Sequence, residues 1–132
     1  MNANSNLEAA VIDGDILVMT LRGHLDSAST PQFEAEVNRH LAGGHWKIII
    51  DGQHLGYLSS VAIGSLVALQ MRLRRKGGAV RLAALQGSVM QVIRTVRLDK
   101  LLEIYPDLES ARQSFQSNPP TVDDELWWCG PI

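Results

Sequence analysis

Apolar residues open the chain in two short runs, Leu7 to Ile12 and Ile16 to Leu21, divided by Asp13-Gly14-Asp15. Asp-Gly between β-favouring runs is a strong local hairpin signal, so the pattern predicts two antiparallel strands. Past Gly23, the segment Ser27-Ala28-Ser29-Thr30-Pro31 offers a cap hydroxyl followed by proline at the first helical position, with Glu34 placed for a capping box. A helix from about Pro31 to Leu41 follows. It sets Phe33, Val37 and Leu41 four residues apart on one face and stops at Gly43-Gly44, where left-handed backbone costs little.

In Trp46-Lys47-Ile48-Ile49-Ile50-Asp51 the apolar residues run on instead of alternating, which predicts a strand covered on both faces at the centre of the sheet. A loop then leads to a second helix, about Ser60 to Lys76, with Ile63, Leu66, Val67, Leu69 and Leu73 inward and Met71 a further candidate. Arg72, Arg74, Arg75 and Lys76 complement its C-terminal dipole, and Gly77-Gly78 stops it. A short strand from Ala79 to Leu85, a helix from about Val89 to Arg97 capped by Gly87-Ser88, a strand near Leu101 to Ile104 and a helix from about Asp107 to Phe115 complete the pattern. Hairpin, helix, then alternating strand and helix predict an α/β fold: a mixed, mostly parallel sheet of about five strands that starts with a β-hairpin and packs with about four helices.

The periodicity ends at Ser117, so residues 1–117 are expected to form one domain. Asn118-Pro119-Pro120 begins a tail, 118–132, in which Asp123, Asp124 and Glu125 precede Leu126, Trp127 and Trp128. That acidic and aromatic stretch reads either as a linear docking motif or as a free chain end. The sequence contains no internal repeat.

Composition narrows the function classes. With 132 residues there is enough chain for one core. A net charge of −2 gives no global basic field for nucleic acid or an anionic membrane, which leaves proteins or small molecules as partners. The single cysteine, Cys129, allows neither an internal disulfide nor a thiolate metal cluster and fits a cytoplasmic setting. The first residues, MNANSNLEAA, lack a basic start and an apolar run, and no stretch approaches the roughly 18 apolar residues of a bilayer span, so neither export nor membrane insertion is expected.

The phosphate-loop, dinucleotide, nucleophile-elbow and zinc-helix signatures of common enzymes are all missing. His24, His40, His45 and His54 have no ligand spacing and read as surface or loop-edge residues. Asp13 and Asp15 are explained by turn chemistry, since two carboxylates fall short of the six to eight oxygens calcium takes. The Arg72 to Lys76 run reads as a solvated helix end, with phosphate contact the other reading.

Ser59-Ser60 stands directly before an apolar helix, and two compatible roles are open for it. One is an N-cap hydroxyl, worth about 1 kcal/mol. The other is a phosphoacceptor, because a phosphate there meets the positive end of the helix dipole and unpaired N–H groups.

The stretches GHLDSASTPQFEAEV (Gly23 to Val37), IIIDGQHLGYLSSVAIGSL (Ile48 to Leu66), RKGGAVRLAAL (Arg75 to Leu85) and VIRTVRLDKLLEIYPDLESA (Val92 to Ala111) resemble, in order and spacing, the STAS domain of bacterial anti-sigma factor antagonists. The resemblance covers about Leu7 to Phe115 and implies a non-enzymatic, partner-switching protein. Such a protein has no cofactor, binds a serine kinase that doubles as an anti-sigma factor, is cytoplasmic, and is a monomer or weak dimer. It also implies that phosphorylation by that kinase switches the protein off. The family's acceptor loop reads Asp-Ser-Ser/Thr-Gly-Leu-Gly, which puts the acceptor on Ser60. Ser59 then stands for the aspartate, Val61 for the second hydroxyl residue, Ala62 for the glycine, and Ile63-Gly64 for Leu-Gly. Ser59 removes a charge beside the acceptor, and Ala62 restricts backbone where a kinase must approach. Asp26, in Gly23-x-Leu25-Asp26, is implied to lie on the partner-binding face together with residues 59–64; read from its own neighbourhood it is equally a turn carboxylate. Diverged members imply an alternative, a constitutive STAS subunit of a sensory or lipid-transport assembly that is not phosphorylated.

Overall fold

The computed structural model describes residues 7–120. Ten elements follow in the order β1 (Leu7–Ile12), β2 (Ile16–Leu25), α1 (Thr30–Ala42), β3 (Lys47–Leu58), α2 (Ser60–Arg74), β4 (Ala79–Ala83), α3 (Gly87–Thr95), a 3-10 turn (Leu98–Lys100), β5 (Glu103–Tyr105) and α4 (Leu108–Ser117). Val122 to Trp128 and Cys129 lie outside the described residues. The five strands form one sheet in sequence order, with β1 antiparallel to β2 and every later pair parallel. This is the mixed sheet the hydrophobic pattern predicts. The hairpin turns through Asp13 at φ 52° and Gly14 at φ 82°, the left-handed region that Asp-Gly tolerates.

Alternation along the strands divides two cores. Leu17 and Met19 of β2, Ile48 and Ile50 of β3, and Val80 and Leu82 of β4 meet Phe33 and Val37 of α1, Leu66 and Leu73 of α2 and Ile93 of α3. Ile16, Val18, Ile49, Ala79 and Ala83 point the other way and meet Ala111 and Phe115 of α4. The unbroken Ile48-Ile49-Ile50 run is therefore what a strand with helices on both faces requires.

Two expectations are corrected here. First, β2 does not end at Leu21, nor β3 at Asp51. Both strands run on as a parallel pair, Arg22 to Leu25 against His54 to Leu58, past a register shift between Thr20 and Arg22 and across a second between Gly23 and His24. Gly23 takes φ 73° within this bulged stretch, so the glycine bends a strand and does not end it. The segment before Ser59 is thus strand, not loop. Second, there is no capping box on α1. The N-cap is Ser29, whose hydroxyl is not used on the helix, and Glu34 accepts a hydrogen bond from Ser65 Oγ at 2.7 Å instead.

Candidate functional site

Because β2 and β3 are parallel and end together, they deliver two turns to the same end of the sheet. Leu25 pairs with Leu58, and the Ser59 N–H donates to the Leu25 carbonyl at 2.9 Å. Asp26, the residue that follows β2, therefore lies beside the start of α2. The resemblance groups these residues, and the fold brings them together.

Ser59 is the N-cap of α2. Its backbone is extended, at φ −82° and ψ 167°, and its Oγ accepts from the Ala62 N–H at 3.1 Å. Its carbonyl takes the first helical bond, from the Ile63 N–H at 2.9 Å. The two serines divide the roles between them: Ser59 caps, and Ser60 begins the helix with its side chain exposed. Helix geometry leaves the N–H groups of Ser60 and Val61 without intrahelical acceptors, and no acidic residue occupies the first turn. The positive end of the α2 dipole therefore faces the Ser60 hydroxyl. Ser59→Ala is expected to lower stability by about 1 kcal/mol, the usual worth of a cap, seen as a lower urea midpoint at unchanged m.

The substitutions around Ser60 acquire physical meaning from their burial. Ala62 is fully buried, so its methyl fills core beneath α2 and presents nothing to an approaching partner. Ile63 is half-buried against the same core. Gly64 is exposed, one helical turn beyond Ser60 on the same face, and a Cβ added there would meet nothing within 4 Å. Bare backbone beside Ser60 leaves room for close approach from outside. Gly64→Ala is expected to stabilise the free protein by about 0.5–1 kcal/mol through helix propensity while weakening partner binding. Thermal denaturation and a binding titration on the same preparation check both halves.

Asp26 is a turn carboxylate. Its Oδ1 accepts from the Ser29 N–H, the Ala28 N–H and the Ser29 hydroxyl, each at 3.1 Å, while Ser29 Oγ in turn accepts from the Asp26 N–H at 3.0 Å. Led by the bond from the Ser29 N–H, these donors hold its carboxyl below the ordinary 3.8. A carboxyl depressed on folding contributes stability that is present above its unfolded pKa and disappears as pH falls through the lower folded value. Asp26→Asn is therefore expected to flatten the loss of stability below about pH 4 relative to the unmodified protein, read from urea midpoints along a pH series.

One residue of this surface, Tyr57, lies outside those that the resemblance groups. Tyr57 is 51% exposed and Val61 53%, the two most exposed large apolar side chains among the described residues. The Tyr57 ring meets the edge of His24 at 5.7 Å between centroids and 81° between planes. His24 and Tyr57 are partners across β2 and β3, so only the extended strands reveal the pair. Around Ser60 there is thus an exposed apolar and aromatic rim, flanked by the Asp26 turn.

Three comparisons bear on this arrangement. A sequence model of the STAS domain family matches residues 6–111. The chain is 29% identical over 112 residues to BtrV of Bordetella bronchiseptica, named as a candidate anti-sigma factor antagonist; the match covers 83% of this chain and 93% of BtrV. Among solved structures, a candidate anti-sigma factor antagonist of Thermotoga maritima superposes with a TM-score of 0.78 at 20% identity, over 83% of this chain and 94% of the other. The anti-sigma factor antagonist SpoIIAA in its unphosphorylated form gives 0.74 at 19% identity, over 84% and 96%. The phosphorylated form of Bacillus SpoIIAA gives 0.65 at 18%, over 81% and 97%. These structures share the fold.

Proposed function

The chain belongs to the STAS domain family, and from that premise we propose that it is an anti-sigma factor antagonist that acts by binding, with Ser60 as the switch. In the unmodified state the Ser60 face of α2 docks a serine kinase that is also the anti-sigma factor. Tyr57, Val61 and Gly64 supply apolar area and close approach, and the Asp26 turn forms the flank. ATP and magnesium belong to the kinase. The relatives named as antagonists, and SpoIIAA's occurrence in phosphorylated and unphosphorylated forms, support this reading.

The observation that carries the proposal is the division between the serines. One hydroxyl is committed to the helix cap, and its neighbour is exposed at the helix N-terminus with no acid in the first turn. A phosphate on Ser60 adds about −1.5 to −2 charges next to the Asp26 turn, in the middle of a docking face. It leaves the fold intact and repels the partner. Residues 1–117 act as the domain, in the cytoplasm, as a monomer or weak dimer.

A second reading rests on Ser59. Where the family carries aspartate, this chain has a neutral hydroxyl that caps the helix, which suits a constitutive STAS subunit of a larger sensory or lipid-transport assembly. Purification from native cells separates the two. If Ser60→Asp changes which proteins accompany the chain, the switch stands; a complex of constant composition favours the subunit.

A further inference from the structure

At the end of the sheet opposite Ser60, the C-terminal turns of α1 and α2 enclose a groove of about 570 Å³. Leu41, Trp46 and Leu73 give it an apolar floor, and Arg72, Arg75 and Lys76 line it with positive charge. No carboxylate lines it among the described residues. Lys76 Nζ stands 5.4 Å from the centre of the Trp46 ring, so the indole and the ammonium already share one surface. An occupant suited to this groove is acidic on one part and aromatic on the next.

The chain itself contains such a segment, in the residues that follow Pro120. Buried Arg81 of β4 donates from its two terminal nitrogens to Ser114 Oγ and to the Asn118 carbonyl, each at 2.8 Å, and packs over Phe115, which fixes where the chain leaves α4. Asn118, Pro119 and Pro120 then form one wall of a neighbouring cavity that Arg74 and Gly78 also line. Gly78 abuts the Trp46 backbone so closely that a Cβ there would stand 2.0 Å from the Trp46 carbonyl oxygen. Pro120 thus shares a cavity with Gly78, and Gly78 abuts Trp46, which lines the groove. The eight residues 121 to 128 reach up to roughly 26–29 Å when extended. They contain Asp123, Asp124 and Glu125, followed by Leu126, Trp127 and Trp128.

We infer that residues 121–128 of the same chain occupy this groove, the three carboxylates against Arg72, Arg75 and Lys76 and the indoles on the Leu41, Trp46 and Leu73 floor. The tail is then an intramolecular clip over a cationic, apolar surface, independent of the Ser60 switch. Docking within one molecule needs little intrinsic affinity, because a short tether holds the effective concentration near millimolar.

The chain has one cysteine, Cys129, one residue beyond the aromatic pair, so a nitroxide spin label can be attached there with no other change. In the full chain the expected result is loss of at least half the amide signal intensity at Leu41, Trp46, Leu73, Arg75 and Lys76, restored on reducing the label. The loss should persist on tenfold dilution and disappear in Asp123→Lys/Asp124→Lys/Glu125→Lys. Reversing the groove in that background, with Arg72→Glu/Arg75→Glu/Lys76→Glu, should restore it. Broadening spread evenly over the domain, or centred on another surface, overturns the inference. So does broadening of an isotope-labelled chain by a spin-labelled second copy, which would place a tail of another molecule in the groove.

Discussion

Gly78→Ala is expected to destabilise the protein by about 3 kcal/mol, the upper part of the range for forcing volume into a packed site. The reason is the identity of the obstacle. A Cβ on residue 78 would lie 2.0 Å from the Trp46 carbonyl oxygen, 2.7 Å from Trp46 Cβ and 2.8 Å from its carbonyl carbon. Backbone cannot rotate away as a side chain does. The same Trp46 carbonyl accepts the hydrogen bond from the Ala79 N–H at 3.1 Å that starts β4 beside β3, so relieving the clash opens the sheet at its first rung. For a domain of this size the loss corresponds to a fall in melting temperature of roughly 10–15 °C. Gly64→Ala supplies the internal comparison, since the same added methyl in open space should raise the melting temperature. A Gly78→Ala protein that melts within a degree or two of the parent would show that the close approach between the two turns is not rigid.

The second large effect concerns binding. Ser60→Asp is expected to leave the melting temperature unchanged or slightly raised, because the cap belongs to Ser59, the Ser60 side chain is exposed, and a carboxylate there meets the positive end of the helix dipole. It should nevertheless weaken the complex with the kinase partner. Juxtaposed like charges in an interface cost several kcal/mol, and each 1.4 kcal/mol is tenfold, so full phosphorylation should lower affinity by roughly a hundredfold or more. Aspartate carries less charge than a phosphate, so its effect should be smaller but in the same direction. Cap loss alone, at about 1 kcal/mol of stability, would not change affinity on that scale. Comparing Ser59→Ala with Ser60→Asp therefore separates stability from recognition: the first should move the urea midpoint and the second the dissociation constant.

Sequence pattern reached the core of this fold more easily than its functional end, for a physical reason. The Ile48 to Ile50 run, the Phe33, Val37 and Leu41 stripe and the Asp13-Gly14 turn are each set by burial or by φ, and the structure has all three. Arg22 to Leu25 and Gln53 to Leu58 are strands of a different kind. They expose His24, His54 and Tyr57 and contain Gly23 and Gly56, so neither an apolar run nor β propensity marks them. What holds them, beside the buried Leu25, Leu55 and Leu58, is mutual backbone pairing, which leaves no trace in a single sequence. The His24 and Tyr57 contact depends on that pairing and was invisible for the same reason. Roles within the serine pair were legible only in part: a cap hydroxyl is predictable from the helix start, but which serine turns inward depends on the extended backbone at Ser59. Asp26 resolves similarly. Its turn bonds are local enough to expect from Asp26-Ser27-Ala28-Ser29, whereas its position beside α2 follows only from the paired ends of β2 and β3.

In the proposed switch a single exposed hydroxyl, on Ser60, governs partner binding. The decisive measurement is to phosphorylate the purified chain with the kinase that co-purifies with it, map the phosphate by mass spectrometry, and titrate both forms against that kinase. One phosphate on Ser60, with affinity reduced at least about a hundredfold and an unchanged fold, is the expected result. Phosphate on Ser59, or no phosphate at all, or equal affinity of the two forms, would contradict it.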